Sequence, residues 1–260
     1  MKILFIGDIV GKVGRRALKE GLPSLIDKHK IDFVIANAEN AAGGFGITEP
    51  VAEELFSNGV NILTSGNHIW DKRESVPLIL KEKRLLRPAN YPYDVPGKGS
   101  IVSEAPSGDK VGVINLSGRV FMNNLDCPFM TVEKELPSIK EQTKVILVDF
   151  HAEATSEKCA FGWFLDGEVS AVIGTHTHVQ TADEKILPCG TAYITDAGMT
   201  GPSNSIIGVK KELIINKFLT QMPVRFEIAN GASILSCVVI EVNPDTGNAT
   251  GIERIQINLA

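Results

Sequence analysis

Short apolar runs of strand length alternate with helix-like segments along the first two-thirds of the chain. "KILFIG" (2–7), "DFVIANA" (32–38), "VNILTSG" (60–66), "KVGVINL" (110–116), "KVILVDF" (144–150) and "SAVIGT" (170–175) are nearly continuous in apolar character and rich in β-branched residues. Runs of that kind predict strands buried on both faces, as in sheets covered by helices. Helical patterns predict helices over 15–29, 50–59, 74–86, 131–142 and 210–221. The C-terminal part changes character. "VRFEIANG", "SILSCVVIEVN" and "GIERIQINL" read as strands joined by the turn-forming "ANGAS" and "NPDTGNAT", an antiparallel tail on an α/β body. With no linker, repeat or low-complexity tract, residues 1–260 are expected to form one layered domain, helices outside and sheets within.

Composition narrows the function. With 43% hydrophobic and 22% charged residues the chain has the balance of a soluble globular protein with a sizeable core. A net charge of −5 argues against a bulk electrostatic grip on nucleic acid, which needs clustered Lys and Arg. Asp8 interrupts the first apolar run too early for a signal peptide, and no stretch reaches the ~18 apolar residues of a membrane span. Cys127, Cys159, Cys189 and Cys237 are far apart and form no Cys-x-x-Cys pair, which suits reduced thiols in a cytoplasmic protein.

The chemistry collects at the ends of the strands. "KILFIG" runs into Asp8, "DFVIANA" into Glu39 and Asn40, "VNILTSG" into Asn67 and His68, "KVILVDF" into His151, and "SAVIGT" into His176 and His178. The carboxyl edge of an open α/β sheet is where ligands bind. Singly, each residue has an ordinary explanation as a cap, a turn former or a surface histidine. Jointly they do not, because four of the five histidines fall at these ends and only His29, in the polar "DKHK", lies elsewhere. Carboxylate, amide and imidazole ligands without thiolate suit Mn, Fe, Co, Ni or Zn. Three or four imidazoles are too many for an all-oxygen Ca²⁺ or Mg²⁺ site. About seven candidate ligands exceed one tetrahedral ion, so two ions sharing a carboxylate is the economical reading, with Glu39 as the natural bridge.

These motifs resemble the calcineurin-like metallophosphoesterase superfamily: "GD" at 7–8, "GNH" at 66–68, a strand-terminal His151 and "GTHTH" at 174–178. "FIGDIVGKVGR", "NAENAAGGFGIT", "GNHIWDKRE", "LRPANYP", "DFHAEATSEK", "GTHTHVQTAD" and "YITDAGMTGP" resemble its YmdB-like bacterial branch over essentially the whole chain. The resemblance implies an α/β fold, a four-layer αββα sandwich around two divalent or trivalent first-row ions, Fe or Mn foremost. It implies a phosphodiesterase acting on 2′,3′-cyclic and 3′,5′-cyclic nucleotides, with a small-molecule substrate and no organic cofactor. One ion would be held by Asp8, Glu39, Asn40 and His178, the other by Glu39, Asn67, His151 and His176, with His68 as proton donor. The wider superfamily usually has Asp-x-His in its first motif and an Asp bridge. Here Val10 and Glu39 stand at those places, and the resemblance implies that Asn40 fills the gap left by the missing histidine.

Other readings stay open at this point. "GDIVGKVG" hints at a P-loop, but the spacing is short and Val13 stands where Ser or Thr should hold Mg²⁺. "GGFG" (43–46) is better taken as a flexible loop beside Glu39, and Arg119 as either a phosphate contact or a salt-bridge partner. His-x-His also occurs in amidohydrolase barrels, typically on the first strand rather than two-thirds along. A phosphomonoesterase of the same superfamily, or a regulatory protein with a relic metal site, would carry a similar motif set, and so would a homo-oligomer.

Overall fold

Neighbouring residues of the first strand face different cores. Ile3 and Phe5 pack with Val111, Val113, Leu147, Ile173 and Ile194, whereas Leu4 and Ile6 pack with Leu18, Leu22 and Leu55. This two-residue alternation is the pleat of a strand apolar on both faces. The computed structural model describes residues 1–260. Its first seven strands are β1 (Lys2–Ile6), β2 (Asp8–Ile9), β3 (Phe33–Asn37), β4 (Ile62–Thr64), β5 (Ser100–Glu104), β6 (Lys110–Ser117) and β7 (Ile146–His151). The others are β8 (Ala171–Thr175), β9 (Lys185–Ile186), β10 (Ala192–Ile194), β11 (Met199–Pro202), β12 (Ser233–Val242) and β13 (Ala249–Leu259). The helices are α1 (Gly11–His29), α2 (Glu49–Ser57), α3 (Ser75–Lys81), α4 (Pro128–Lys140), α5 (Thr155–Phe164) and α6 (Lys211–Thr220).

One sheet runs β2-β11-β12-β1-β3-β4, with β13 also paired to β12, and the other runs β5-β6-β7-β8-β10-β9. β1, β3 and β4 are parallel, as are β6, β7, β8 and β10. The sheets face each other across the core that holds Ile3, Phe5, Phe33, Val113 and Leu147. α1, α2 and α3 cover the outer face of the first sheet through Leu18, Leu55 and Leu78. α4 and α5 cover the outer face of the second through Val132, Leu136 and Phe161. The expected αββα layering is therefore what the chain builds. No helix is long and apolar enough to cross a membrane.

The C-terminal reading needs correction. β12 is no tail, because it lies inside the first sheet and pairs antiparallel with β1, Phe5 opposite Val238. Its near-continuous burial is that of a central strand, and only the outer β13 alternates. "VRFEIANG" forms no strand beyond an isolated bridge between Val209 and Ile228; its Phe226 and Ile228 line a cavity instead. α5 had no readable stripe, since only Lys158, Phe161 and Gly162 of its residues are buried.

Candidate metal centre

The parallel strands of both sheets end at one place. Asp8 opens β2 just beyond the end of β1, Glu39 and Asn40 follow β3, and Asn67 and His68 follow β4; β7 ends on His151, and β8 runs into His176 and His178. All eight residues expected from the sequence meet there, five from the first sheet and three from the second. Gly66 makes the approach feasible. A Cβ on it would stand 2.2 Å from His151 Cδ2 and 2.4 Å from Glu39 Oε2, so only glycine fits.

His151 is the hub of one half of the cluster. Its Nε2 lies 3.1 Å from Glu39 Oε1, 3.1 Å from Asn67 Oδ1 and 3.0 Å from His176 Nδ1. Its other ring nitrogen is already committed. The Thr175 hydroxyl donates to Asp149 Oδ1 at 2.7 Å, so Thr175 Oγ1 accepts from His151 Nδ1 at 2.9 Å. A carboxylate acting through a hydroxyl thus fixes the tautomer that turns the Nε2 lone pair into the cluster. Thr64 Oγ1 and Asn37 Nδ2 donate to the other oxygen of Asp149 and hold it in turn.

Four ligand atoms at one point carry more lone pairs than one proton can satisfy. Burial alone would lower the pKa of His151, but the Glu39 carboxylate outweighs it and raises it to about 9. Burial would likewise raise Glu39, yet His151 holds it down at about 2. Burial and the neighbouring positive His151 lower His176 to about 3. Electrostatically, a positive charge belongs at this point. Ligand atoms of Glu39, His151 and His176 all lie within 4.8 Å of one another, a spacing one cation can span.

The other half is built differently. Asp8 is wholly buried and burial raises its pKa. Its Oδ2 accepts the backbone N–H of His176 at 3.2 Å, while Oδ1 has no hydrogen-bond partner. Asn40 donates through Nδ2 to Gly44 O at 3.0 Å, which fixes its amide and leaves Oδ1 buried without a partner. His178 Nδ1 donates to Ile207 O at 3.0 Å, so its Nε2 lone pair faces Asp8 Oδ1, 3.9 Å away. Two buried oxygens without partners beside an open imidazole lone pair are a donor set that fits a cation. Val10, where the superfamily has histidine, is 2% exposed.

A cavity of about 290 Å³ opens over the cluster. Glu39, Asn40, His68, His176 and His178 line it on the polar side, and Phe45, Ile207 and Phe226 on the apolar side. The "GGFG" segment lies beside Glu39 as its sequence suggested, with Phe45 edge-on to His68 at 5.1 Å. His68 makes no contact with the hub. Its backbone N–H donates to Glu39 Oε2 at 3.1 Å, and its Nδ1 lies 2.8 Å from Asp71 Oδ2. Donation to Asp71 would orient the ring and leave Nε2 outside that contact. Arg119 is exposed and meets Glu157 through its backbone N–H rather than its guanidinium. Sequence reading missed Asp71, Asp149, Thr175 and also Glu153, whose Oε2 lies 3.0 Å from His176 Nε2. All four stood inside quoted motifs, Asp71 in "GNHIWDKRE", Asp149 and Glu153 in "DFHAEATSEK" and Thr175 in "GTHTHVQTAD", which was the available signal.

The family model of the YmdB-like protein matches residues 4–255. The chain belongs to the YmdB-like family. A relative in Bacillus subtilis (strain 168), a 2′,3′-cyclic-nucleotide 2′-phosphodiesterase, is 52% identical over 99% of this chain and 97% of its own. A crystal structure of a phosphatase from Mycoplasma pneumoniae superposes with TM-score 0.93 at 37% identity, covering 100% of this chain and 94% of that one. A protein of Thermus thermophilus also superposes at TM-score 0.93, with 40% identity over 100% of both chains. This YmdB-like chain is accordingly a phosphoesterase of the metallophosphoesterase fold.

Proposed function

We propose that the chain is a dinuclear-metal phosphodiesterase that opens cyclic nucleotides, 2′,3′-cyclic and also 3′,5′-cyclic nucleoside monophosphates. The observation that carries this reading is the meeting of Glu39, Asn67 and His176 ligand atoms on His151 Nε2, beside the unpartnered oxygens of Asp8 and Asn40. The substrate class is supported by the Bacillus subtilis relative. Asp8, Glu39, Asn40 and His178 would hold one first-row ion, and Glu39, Asn67, His151 and His176 the other. Because these residues come from both sheets, 1–260 is taken as one metallophosphoesterase domain.

When bound, paired ions of this kind activate water for in-line attack and neutralise phosphoryl charge. The chain's residues supply the rest. Glu39, negative and buried, fixes the negative side of the site and accepts the His68 backbone N–H, which ties the proton donor to the cluster. The leaving group of a cyclic nucleotide is a ribose alkoxide, which departs poorly unless protonated. His68, oriented through Nδ1 by Asp71, would deliver that proton from Nε2 in its doubly protonated form and regain it from solvent after turnover. The apolar wall of Phe45, Ile207 and Phe226 keeps bulk water away from one side of the cavity.

The test is metal content together with a substrate panel. After reconstitution with Mn²⁺ or Fe²⁺, elemental analysis should give close to two ions per chain, and cyclic nucleotides should yield nucleoside monophosphates. Fewer than about one ion per chain refutes the two-metal reading. Full metal loading with no hydrolysis of any cyclic nucleotide refutes the substrate assignment.

A further inference from the structure

Lys158 and Asp196 form an ion pair with side chains 1% and 0% exposed, Nζ to Oδ2 at 2.7 Å. Lysine is almost never fully buried unless paired, and a buried pair gives little stability because both ions are stripped of water. The remaining bonds of Asp196 supply another reason for its presence. Oδ2 also accepts from Thr177, the backbone N–H at 3.0 Å and the hydroxyl at 2.8 Å. Oδ1 accepts the N–H of Gly198 at 2.8 Å, and the Gly198 carbonyl accepts the N–H of Asp8. One carboxylate therefore ties the strand of Asp8 to the residue between His176 and His178.

That residue sits in an unusual turn. His176 and His178 both have left-handed backbone, φ 101° and 65°. Residues with a Cβ enter this region rarely and at a cost, so two of three successive residues stay there only where the surroundings fix them. Thr177 is what the surroundings grip. Lys158 reaches Asp196 from α5 past Gly174, where a Cβ would stand 3.2 Å from Lys158 Cδ and 1.8 Å from Thr195 O. The three residues come from three separate motifs, "DFHAEATSEK", "YITDAGMTGP" and "GTHTHVQTAD", and none is a proposed ligand.

We propose that Lys158 and Asp196, acting through Thr177, are positioning residues that hold the His176–Thr177–His178 turn in its left-handed form and so set the spacing of its two imidazoles. The inference rests on the dinuclear reading, in which those imidazoles serve different ions. The ion pair neutralises Asp196, which lets a carboxylate stay buried where it can take both donors of Thr177.

The experiment titrates Mn²⁺ into metal-stripped protein by calorimetry and records the melting temperature of the metal-free protein alongside. Thr177→Val removes only the hydroxyl donor and should weaken Mn²⁺ binding ~10-fold while shifting the metal-free melting temperature by no more than ~4 °C. Thr177→Ser keeps the donor and should restore most of the affinity. Lys158→Met should weaken binding further, up to ~100-fold; if it does not fold, the two Thr177 variants decide. Wild-type Mn²⁺ affinity in Thr177→Val overturns the positioning role. So does Lys158→Met with a lower melting temperature but unchanged affinity, since that is the signature of a purely structural pair. Wild-type protein that takes up no Mn²⁺ overturns the metal reading and this inference with it, whereas wild-type uptake with unaffected variants overturns this inference alone.

Discussion

The two halves of the cluster share Glu39 as proposed bridge, yet they are built in opposite ways. Around His151 every ligand atom has a neighbour, and a proton between His151 and Glu39 can stand in for a cation. Around Asp8 and Asn40 two buried oxygens have no partner at all. The difference follows from what supports each half. His151 is backed by a chain of hydrogen bonds through Thr175 to Asp149, which rigidly aims one lone pair. The Asp8 half is held by its flanks: His176 N–H on one oxygen of Asp8, Gly44 O on the Asn40 amide and Ile207 O on His178. A self-consistent half persists without its ion, whereas a half with bare oxygens is complete only when something positive fills it.

The strongest test removes what the halves share. Glu39→Gln should release both ions together and abolish metal-dependent turnover, read by elemental analysis and cyclic-nucleotide hydrolysis. One ion left at full occupancy would mean that Glu39 belongs to a single half. Next in size is His68, which belongs to neither. His68→Ala should keep the metal content and slow cyclic-nucleotide hydrolysis by ~10²–10⁴. A nitrophenyl phosphodiester, whose leaving group needs little protonation, should lose far less. Equal losses for both substrates would sink the proton-donor role and leave a positioning one.

A smaller effect should separate the halves. Asp149→Asn places an amide N–H₂ among the hydroxyls and amide that now donate to it, so the orientation of His151 is lost. We expect ~10–100-fold weaker binding of one ion with the other little changed. Equal weakening of both would show that the Thr175–Asp149 support does not act on one half. The smallest expected difference is the order of release. Chelator titration should strip the Asp8 half first, because it offers one imidazole against two around His151 and a departing ion leaves room for water on its bare oxygens. Simultaneous loss at a single chelator concentration would erase this ranking.

Much of this site could be read before the fold was known. Asp8, Glu39, Asn40, Asn67, His68, His151, His176 and His178 announce themselves because strand ends are punctuated, apolar run then polar residue, and a polar residue at a carboxyl edge has few structural duties. The supporting residues gave no such signal. Asp149 sits inside the apolar "KVILVDF" and looks like an interruption, and Lys158 lies in a segment with no readable period, where a lone lysine gives no sign of burial. Each acquires meaning only from a partner on another strand or helix: Thr64 and Thr175 for Asp149, and Asp196 for Lys158.

Local pattern determined eight of the thirteen strands, most of the helices and the ligand-like residues, because side-chain period and strand-end chemistry are properties of neighbours in sequence, whereas β2, β5, β9, β10 and β11 left no such pattern. Tertiary structure alone decided that β12 enters the middle of a sheet, since a run apolar on both faces fits equally well as an edge strand under cover or as a central one. It alone decided that two sheets bring five residues and three residues to one point, and that Gly66 leaves them room. It also decided which nitrogen of His151 faces the cluster, because a tautomer is set by the hydrogen bond made at the far side of the ring, and that partner lies on a different strand.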